Sequence, residues 1–246
     1  MRRLRQLKLK IVLRRLLGMK APPNAVLQEL YTNHDYLEAY SQHTDQRVRQ
    51  DPKAAVGGLW EEIGQLQFDF LVAQGLKPQH TLLDIGCGTL RGGRHFIGYL
   101  DVGNYTGMDI SPEAIAYAEK LVAAEGLAEK HPQLALSRNK ELKFQEFAGQ
   151  TFDFLLAQSV FTHLPSEPIE KCFQHIGNIM HDDSIFYFTF FAARKQEQRN
   201  VKDFWYPFSF FTALAARYGF KTVDCLETYA HPRGQKMVAL MKLVQK

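Results

Sequence analysis

Thr81-Leu82-Leu83-Asp84-Ile85-Gly86-Cys87-Gly88-Thr89-Leu90-Arg91-Gly92-Gly93 runs from an apolar stretch through a glycine turn into a segment that can open a helix. Gly86 and Gly88 carry no Cβ, so a ligand can approach the backbone there, and the amides at the start of the next helix offer it donors. A dinucleotide turn, G-x-G-x-x-G, brings those amides to a pyrophosphate and uses its third glycine for close helix packing. Arg91 occupies that third position here. Asp84 stands two residues before the first glycine, at the carboxyl end of the apolar stretch. A carboxylate there faces a diphosphate unfavourably and suits a ligand with a cationic amino group and a sulfonium.

Outward from this turn, the pattern alternates. Strand-like runs are expected at 81–85, 104–110, 133–138, 152–158, 184–191, 221–228 and 235–243, with helical stretches between them. Ser111-Pro112-Glu113 supplies an N-cap, a first-turn proline and an early acid. Pro165-Ser166 opens a second helix, and Pro207-Phe208-Ser209 a third that ends at Gly219. Such alternation predicts a mostly parallel sheet covered by helices on both faces. Only His231-Pro232-Arg233-Gly234 separates the last two runs, which is hairpin length, so one terminal strand should run antiparallel. Upstream, Leu59, Trp60, Ile63, Leu66, Phe70 and Leu71 recur at helical spacing, and they predict one helix of about twenty residues from Ala54 to Leu76. The polar segment before Pro52 reads as short helices and loops.

The acid-x-Gly-x-Gly turn after a strand resembles the first motif of the class I S-adenosylmethionine-dependent methyltransferases, with Leu90 where many members have a further glycine. Gly92 and Gly93 are expected to restore backbone freedom one step later. The resemblance extends from about residue 54 to the end and implies a Rossmann-like, doubly wound, seven-stranded α/β sheet with one antiparallel terminal strand, plus an N-terminal helical extension. It implies S-adenosylmethionine as cofactor, held by Asp84, Gly86, Cys87 and Gly88. Asp109, 23 residues past Gly86 at the end of the second strand, would hold the ribose hydroxyls, and Ile110 would pack on the adenine. Asn139 matches the position that contacts the adenine amino group. Gln158 and Ser159, after the fourth strand, would border the methionine end, with His163 beyond them as a candidate base. Gln158-Ser159-Val160-Phe161 stands where methyltransferases of exocyclic amines show an N-P-P-Y type sequence.

The chain has 246 residues, 46% hydrophobic and 23% charged, an ordinary mix for a globular protein. Its 30 bases include eight in the first twenty residues, where there is no acid, which leaves 22 bases against 26 acids in the rest. An acidic body argues against a groove for polyanions, so no nucleic-acid partner is expected. Together with the Gln158–Phe161 stretch, this favours a small-molecule, sugar or lipid-linked compound as the expected acceptor. The expected division is a basic tail at 1–22, a helical cover at 23–76 and the cofactor-binding domain at 77–246. The tail is interrupted by Arg14 and Arg15, which is unlike a secretory signal, and reads either as a solvated terminus or as a membrane-surface or protein contact. Cys87, Cys172 and Cys225 are far apart and form no zinc-type motif, which fits a reducing, cytoplasmic setting.

Several residues have two readings. Trp60, Trp205 and Tyr206 either line an acceptor pocket or pack in the core. Tyr36, His43, Trp60 and Glu61 are candidates for acceptor contact if the cover folds over the site. Asp182-Asp183 is read as a turn ahead of the fifth strand, because no third metal ligand accompanies it. The rival functions are a nicotinamide-dependent oxidoreductase, against which Asp84 and the missing third glycine speak, and a non-catalytic binding protein of the same fold.

Overall fold

A computed structural model describes residues 23–137, 142–225 and 227–243. At its centre is β1 (Leu82–Ile85), whose four side chains are all buried, as expected of a parallel strand covered on both faces. β2 (Tyr105–Asp109) and β4 (Phe152–Ala157) flank it in parallel, Leu82 lying opposite Tyr105 on one side and Phe154 on the other. β3 (Gln133–Leu136) pairs with β2, and β5 (Met180–Ala192) with β4. β9 (Lys236–Lys242) runs antiparallel to β5, and β8 (Phe220–Asp224) antiparallel to β9. The order β3-β2-β1-β4-β5-β9-β8 thus has the expected single reversed strand. Because the order turns back between β1 and β4, the connections that leave the carboxyl ends of these two paired strands run in opposite directions and leave a crevice for a ligand.

Before the sheet lie α1 (Pro23–Asn33), α2 (Tyr36–Gln50), α3 (Pro52–Ala55) and α4 (Trp60–Ala73). The sheet helices are α5 (Gly93–Tyr99), α6 (Pro112–Ala124), α7 (Ser166–His175) and α8 (Phe208–Arg217). Ser111 caps α6 through Oγ, which accepts from the Ala114 amide, and Pro112 opens the helix. One apolar layer gathers Phe161, Phe173, Phe186, Phe188 and Phe211; the other gathers Phe70, Phe96, Tyr105, Ile115 and Tyr187. No described helix is long and apolar enough to cross a membrane.

Three expectations are corrected. The helix predicted from Ala54 to Leu76 is broken: Gly57 and Gly58 have φ of 97° and 64°, and Leu59 follows at 47°, so the chain bends between α3 and α4. The polar region before Pro52 forms two full helices, the second capped by Asp35, whose Oδ1 accepts from the Leu37 and Glu38 amides. Asp182 and Asp183 lie inside β5 instead of in a turn. Their stretch faces a register shift between Phe152 and Phe154, bridged by Ser184 Oγ, which donates to the Phe152 carbonyl and accepts from the His181 amide. A short hairpin not anticipated from the sequence, β6 (Glu197–Gln198) and β7 (Phe204–Tyr206), extends the carboxyl end of β5.

Helix α2 is fastened across the carboxyl ends of the sheet. Ser41 Oγ donates to the Ile110 carbonyl at 2.9 Å, and Asp45 accepts from Ser111 Oγ at 2.5 Å. At its start, Tyr36 Oη donates to the His163 carbonyl at 2.6 Å.

Candidate active site

The glycine turn is shaped by backbone that L side chains rarely adopt. Gly86 and Gly88 have φ of 73° and 56°. A Cβ on Gly86 would stand 2.6 Å from Val160, and one on Gly88 2.6 Å from Val56. The third left-handed position is Leu90 itself, at φ 65°, buried and held by its amide donating to the Cys87 carbonyl. Gly92 and Gly93 do not supply the freedom expected of them. They are instead points of close packing, where a Cβ would meet the Gln67 amide and the Tyr105 hydroxyl respectively.

Two acids stand beside this turn, Asp84 buried and Asp109 half-buried. Asp109 accepts from the Gly88 amide through Oδ2 at 2.9 Å and from the Ser111 amide through Oδ1 at 2.8 Å. Each oxygen therefore keeps a lone pair for a ligand hydroxyl. Burial raises its pKa despite these amide bonds. Asp84 accepts from Tyr105 Oη at 2.9 Å, and burial pushes its pKa up to about 7. The Cys87 thiol is also pushed up by burial and has little thiolate character.

Opposite the turn, the chain after β4 carries Ser159 at φ 61°, its amide donating to Thr189 Oγ1 at 2.7 Å. A short helical turn then presents His163. Its Nδ1 lies 3.0 Å from Asp203 Oδ1 and 3.1 Å from the Lys202 carbonyl, while Nε2 has no hydrogen-bond partner among the described residues. Burial holds the His163 pKa below the ordinary histidine value, so its ring is neutral at pH 7, with the proton on Nδ1 and Nε2 open as an acceptor. Asp203 is held well below the usual carboxylate range, because the stabilising bonds from His163 and Asn200 and the charge of Lys202 outweigh its burial. Tyr40 lies against His163 with ring centroids 5.7 Å apart. His43, in contact with the Tyr31 ring, is held near pKa 4 by burial and by the charges of Lys202 and Arg47.

A single cavity of about 560 Å³ joins these parts. Asp84, Gly86, Cys87, Gly88, Asp109 and Ile110 line one side, and Gln158, Ser159 and His163 another. His43 also reaches it, whereas Tyr36 stands behind as a support for His163. Asn139 lies outside the described residues. Trp60, Trp205 and Tyr206 are not part of the wall. Trp60 packs beneath Lys53 and Arg94, Trp205 is stacked between Phe191 and Arg199, and Tyr206 is fully buried with its hydroxyl donating to the Leu164 carbonyl. Asp203 and Tyr40, both on the wall, escaped the sequence reading. Nothing in the local sequence ties Asp203 to a histidine forty positions earlier, whereas Tyr40 lies three and four residues from Leu37, Tyr36 and His43, a periodicity that could have put it on the inner face of a helix.

Comparison with known proteins agrees with this geometry. Residues 83–186 match a family model described as a methyltransferase domain. Among solved structures, magnesium protoporphyrin IX methyltransferase (ChlM) from Synechocystis PCC 6803 with bound SAH is 14% identical, with a TM-score of 0.62 over 85% of this chain and 100% of that one. The [4+2]-cyclase SpnF is 16% identical, with a TM-score of 0.65 over 86% and 98%. A TehB-like SAM-dependent methyltransferase from Corynebacterium glutamicum is 21% identical, with a TM-score of 0.54 over 83% and 98%. With its sheet order, its glycine turn and the matched segment, the chain has the Rossmann-like fold of the class I S-adenosylmethionine-dependent methyltransferases, and residues 83–186 are similar to a methyltransferase domain.

Proposed function

We propose that this protein transfers a methyl group from S-adenosylmethionine to a hydroxyl of a small-molecule, sugar or lipid-linked acceptor. The carrying observation is that one cavity holds both the glycine turn with its two acids and the His163–Asp203 pair. The residues present fit the cofactor. Gly86 and Gly88 give close backbone approach, Asp109 keeps a lone pair on each oxygen for the ribose hydroxyls, and Asp84 can ionise against a cationic amino-acid group. When bound, the cofactor supplies a methyl carbon already activated by its sulfonium.

The chain's own contribution is then to bind, align and exclude water. His163 Nε2, neutral and open, takes the acceptor hydroxyl proton, and Asp203 orients the ring and stabilises the imidazolium that results. Tyr36 fixes the His163 backbone, which makes it a positioning residue. Residues 23–76 act as the cover, since α2 bridges the carboxyl ends of the sheet and the α3–α4 bend lies over the glycine turn. A small-molecule acceptor is supported by structural neighbours, among them the magnesium protoporphyrin IX methyltransferase. A nicotinamide reading is disfavoured by Asp84, and the likeness in fold to the [4+2]-cyclase SpnF makes product analysis necessary.

The test has two stages. Calorimetry should detect S-adenosylhomocysteine and no NADH; the opposite result overturns the proposal. Labelled S-adenosylmethionine incubated with fractionated small-molecule extracts should then yield a methylated product that His163→Gln fails to form.

A further inference from the structure

Three residues on the cavity wall carry hydrogen-bond donors with no partner among the described residues; Asp84, on the same wall, acts on Arg91 through its charge but forms no hydrogen bond with any of the three. Arg91 is buried; one guanidinium nitrogen donates to the carbonyls of Val56 and Gly58 at 2.6 and 3.1 Å, which leaves its Nε–H buried and unpaired. His231 is equally buried. Its Nδ1 accepts from the Arg233 amide at 3.1 Å, so the neutral ring carries its proton on Nε2, which is buried and unpaired as well. Gln235 accepts three bonds on Oε1, from Gln158 Nε2, Ser159 Oγ and Thr189 Oγ1 at 3.1, 3.0 and 2.8 Å. That saturation fixes the amide orientation, and its NH₂ donates to nothing described.

Charge supports the same conclusion. Arg233 reaches the cavity from the rim, donating to the Gly57 carbonyl, and a Cβ built on Gly57 lies 3.1 Å from one of its nitrogens and 3.7 Å from Arg91. Neither guanidinium forms an ion pair with a described residue. An unpaired buried donor costs about 1–3 kcal/mol, so a fold that keeps two of them on one ligand-sized cavity has a group to pair them with. Donors only, two of them on guanidinium and imidazole, suit an anion with planar oxygens.

We infer that Arg91, His231, Gln235 and Arg233 form a carboxylate-binding subsite, supplied largely by the connection between β8 and β9. The inference deepens the proposed function and rests on it for the identity of the ligands. Two sources present this chemistry: the amino-acid end of the cofactor and an acidic group on the acceptor.

His231→Phe and Arg233→Met separate them. Binding of S-adenosylhomocysteine and of 5′-methylthioadenosine, which has the same nucleoside and sulfur and no amino acid, is measured by calorimetry on the full chain, with circular dichroism as the check on folding. If the carboxylate is the cofactor's, each variant binds S-adenosylhomocysteine about 10- to 100-fold more weakly and 5′-methylthioadenosine as before. If it is the acceptor's, both nucleosides bind unchanged, and acetate raises the melting midpoint of the S-adenosylhomocysteine-saturated wild type but of neither variant. Equal weakening of both nucleosides, or unchanged binding with no response to acetate, overturns the subsite. A folded wild type that binds neither nucleoside yet still binds acetate through His231 and Arg233 would defeat the cofactor reading while the subsite stands.

Discussion

Asp203 lies on the wall of the cavity with its Oδ1 3.0 Å from His163 Nδ1, and the two residues come from opposite sides of β5 in the sequence. The pair leaves Nε2 as the free nitrogen, which is the arrangement of an oriented base. His163→Gln should lower methyl transfer by about 10²–10⁴-fold, the range for loss of a general base, with affinity for S-adenosylhomocysteine retained. Single-turnover rates measured beside calorimetric affinity check this; equal loss of both would make His163 structural.

The same pair predicts a pH profile. Burial keeps the His163 pKa below its ordinary value, while Asp203 raises it. The rate should rise with pH below that ordinary value and be level at neutrality. In Asp203→Asn the raising influence is gone, so the acidic limb should move to lower pH while the plateau falls. An unmoved limb in the rate–pH curve would separate Asp203 from the titrating group.

Asp84 titrates near neutrality because its burial outweighs the Tyr105 hydrogen bond and the charge of Arg91. Ligand binding by way of an ammonium group favours the carboxylate, so binding of S-adenosylhomocysteine near pH 7 should release a proton and tighten as pH rises through about 7. Calorimetry in buffers of different ionisation enthalpy measures that release, and Asp84→Asn should abolish it. For the ligand-free protein the sign is opposite. The folded-state pKa of Asp84 lies above the unfolded value, so its share of stability is complete below about pH 4 and is lost as pH rises through about 7.

Asp109→Ala should weaken S-adenosylhomocysteine by about 1.5–3 kcal/mol, as for hydrogen bonds to a charged group. It also strips the Gly88 and Ser111 amides of their acceptor, so the thermal midpoint should drop as well. Unchanged affinity would remove Asp109 from the ribose site.

Ordering of the glycine turn should reach the cover. Thr89 Oγ1 donates to the Pro52 carbonyl at 3.0 Å, and Arg91 holds the carbonyls of Val56 and Gly58. Adding S-adenosylhomocysteine should slow amide exchange across residues 30–60 as well as around Gly86 and Asp109. Protection confined to the turn and the acids would show the cover to be independent of the ligand.

The parts legible in the sequence are those whose cause is local. Asp84, Gly86 and Gly88 are read together because strand, turn and acid are contiguous, and Asp109 is legible through the resemblance of residues 105–111 to the second strand of the class I methyltransferases. The reversed strand is legible because so short a connection cannot cross over a sheet, although the expected strand 221–228 stops at Asp224, so that residues 225–235 join β8 to β9 in place of the four expected. What escaped depends on tertiary contact or on conformation overriding composition. Leu90 takes a left-handed φ that its side chain disfavours, and the glycines after it do not. Gly57 and Gly58 interrupt an apolar periodicity that continues across them as though the helix were whole. The aromatic residues chosen for the pocket, Trp60, Trp205 and Tyr206, found partners elsewhere, whereas Arg91, His231 and Gln235 gain their interest only from the bonds they lack.

The position of β9 bears on how the chain is made. It lies between β5 and β8, and among the described residues β8 pairs with β9 alone. During synthesis, β5 therefore emerges with one edge exposed, and β8 waits without a partner until residues 236–242 leave the ribosome. Until residues 236–242 are available, the nascent chain carries an open, apolar sheet edge. A stalled or prematurely ended chain would lose two strands together, along with Gln235, and would present that edge to other chains.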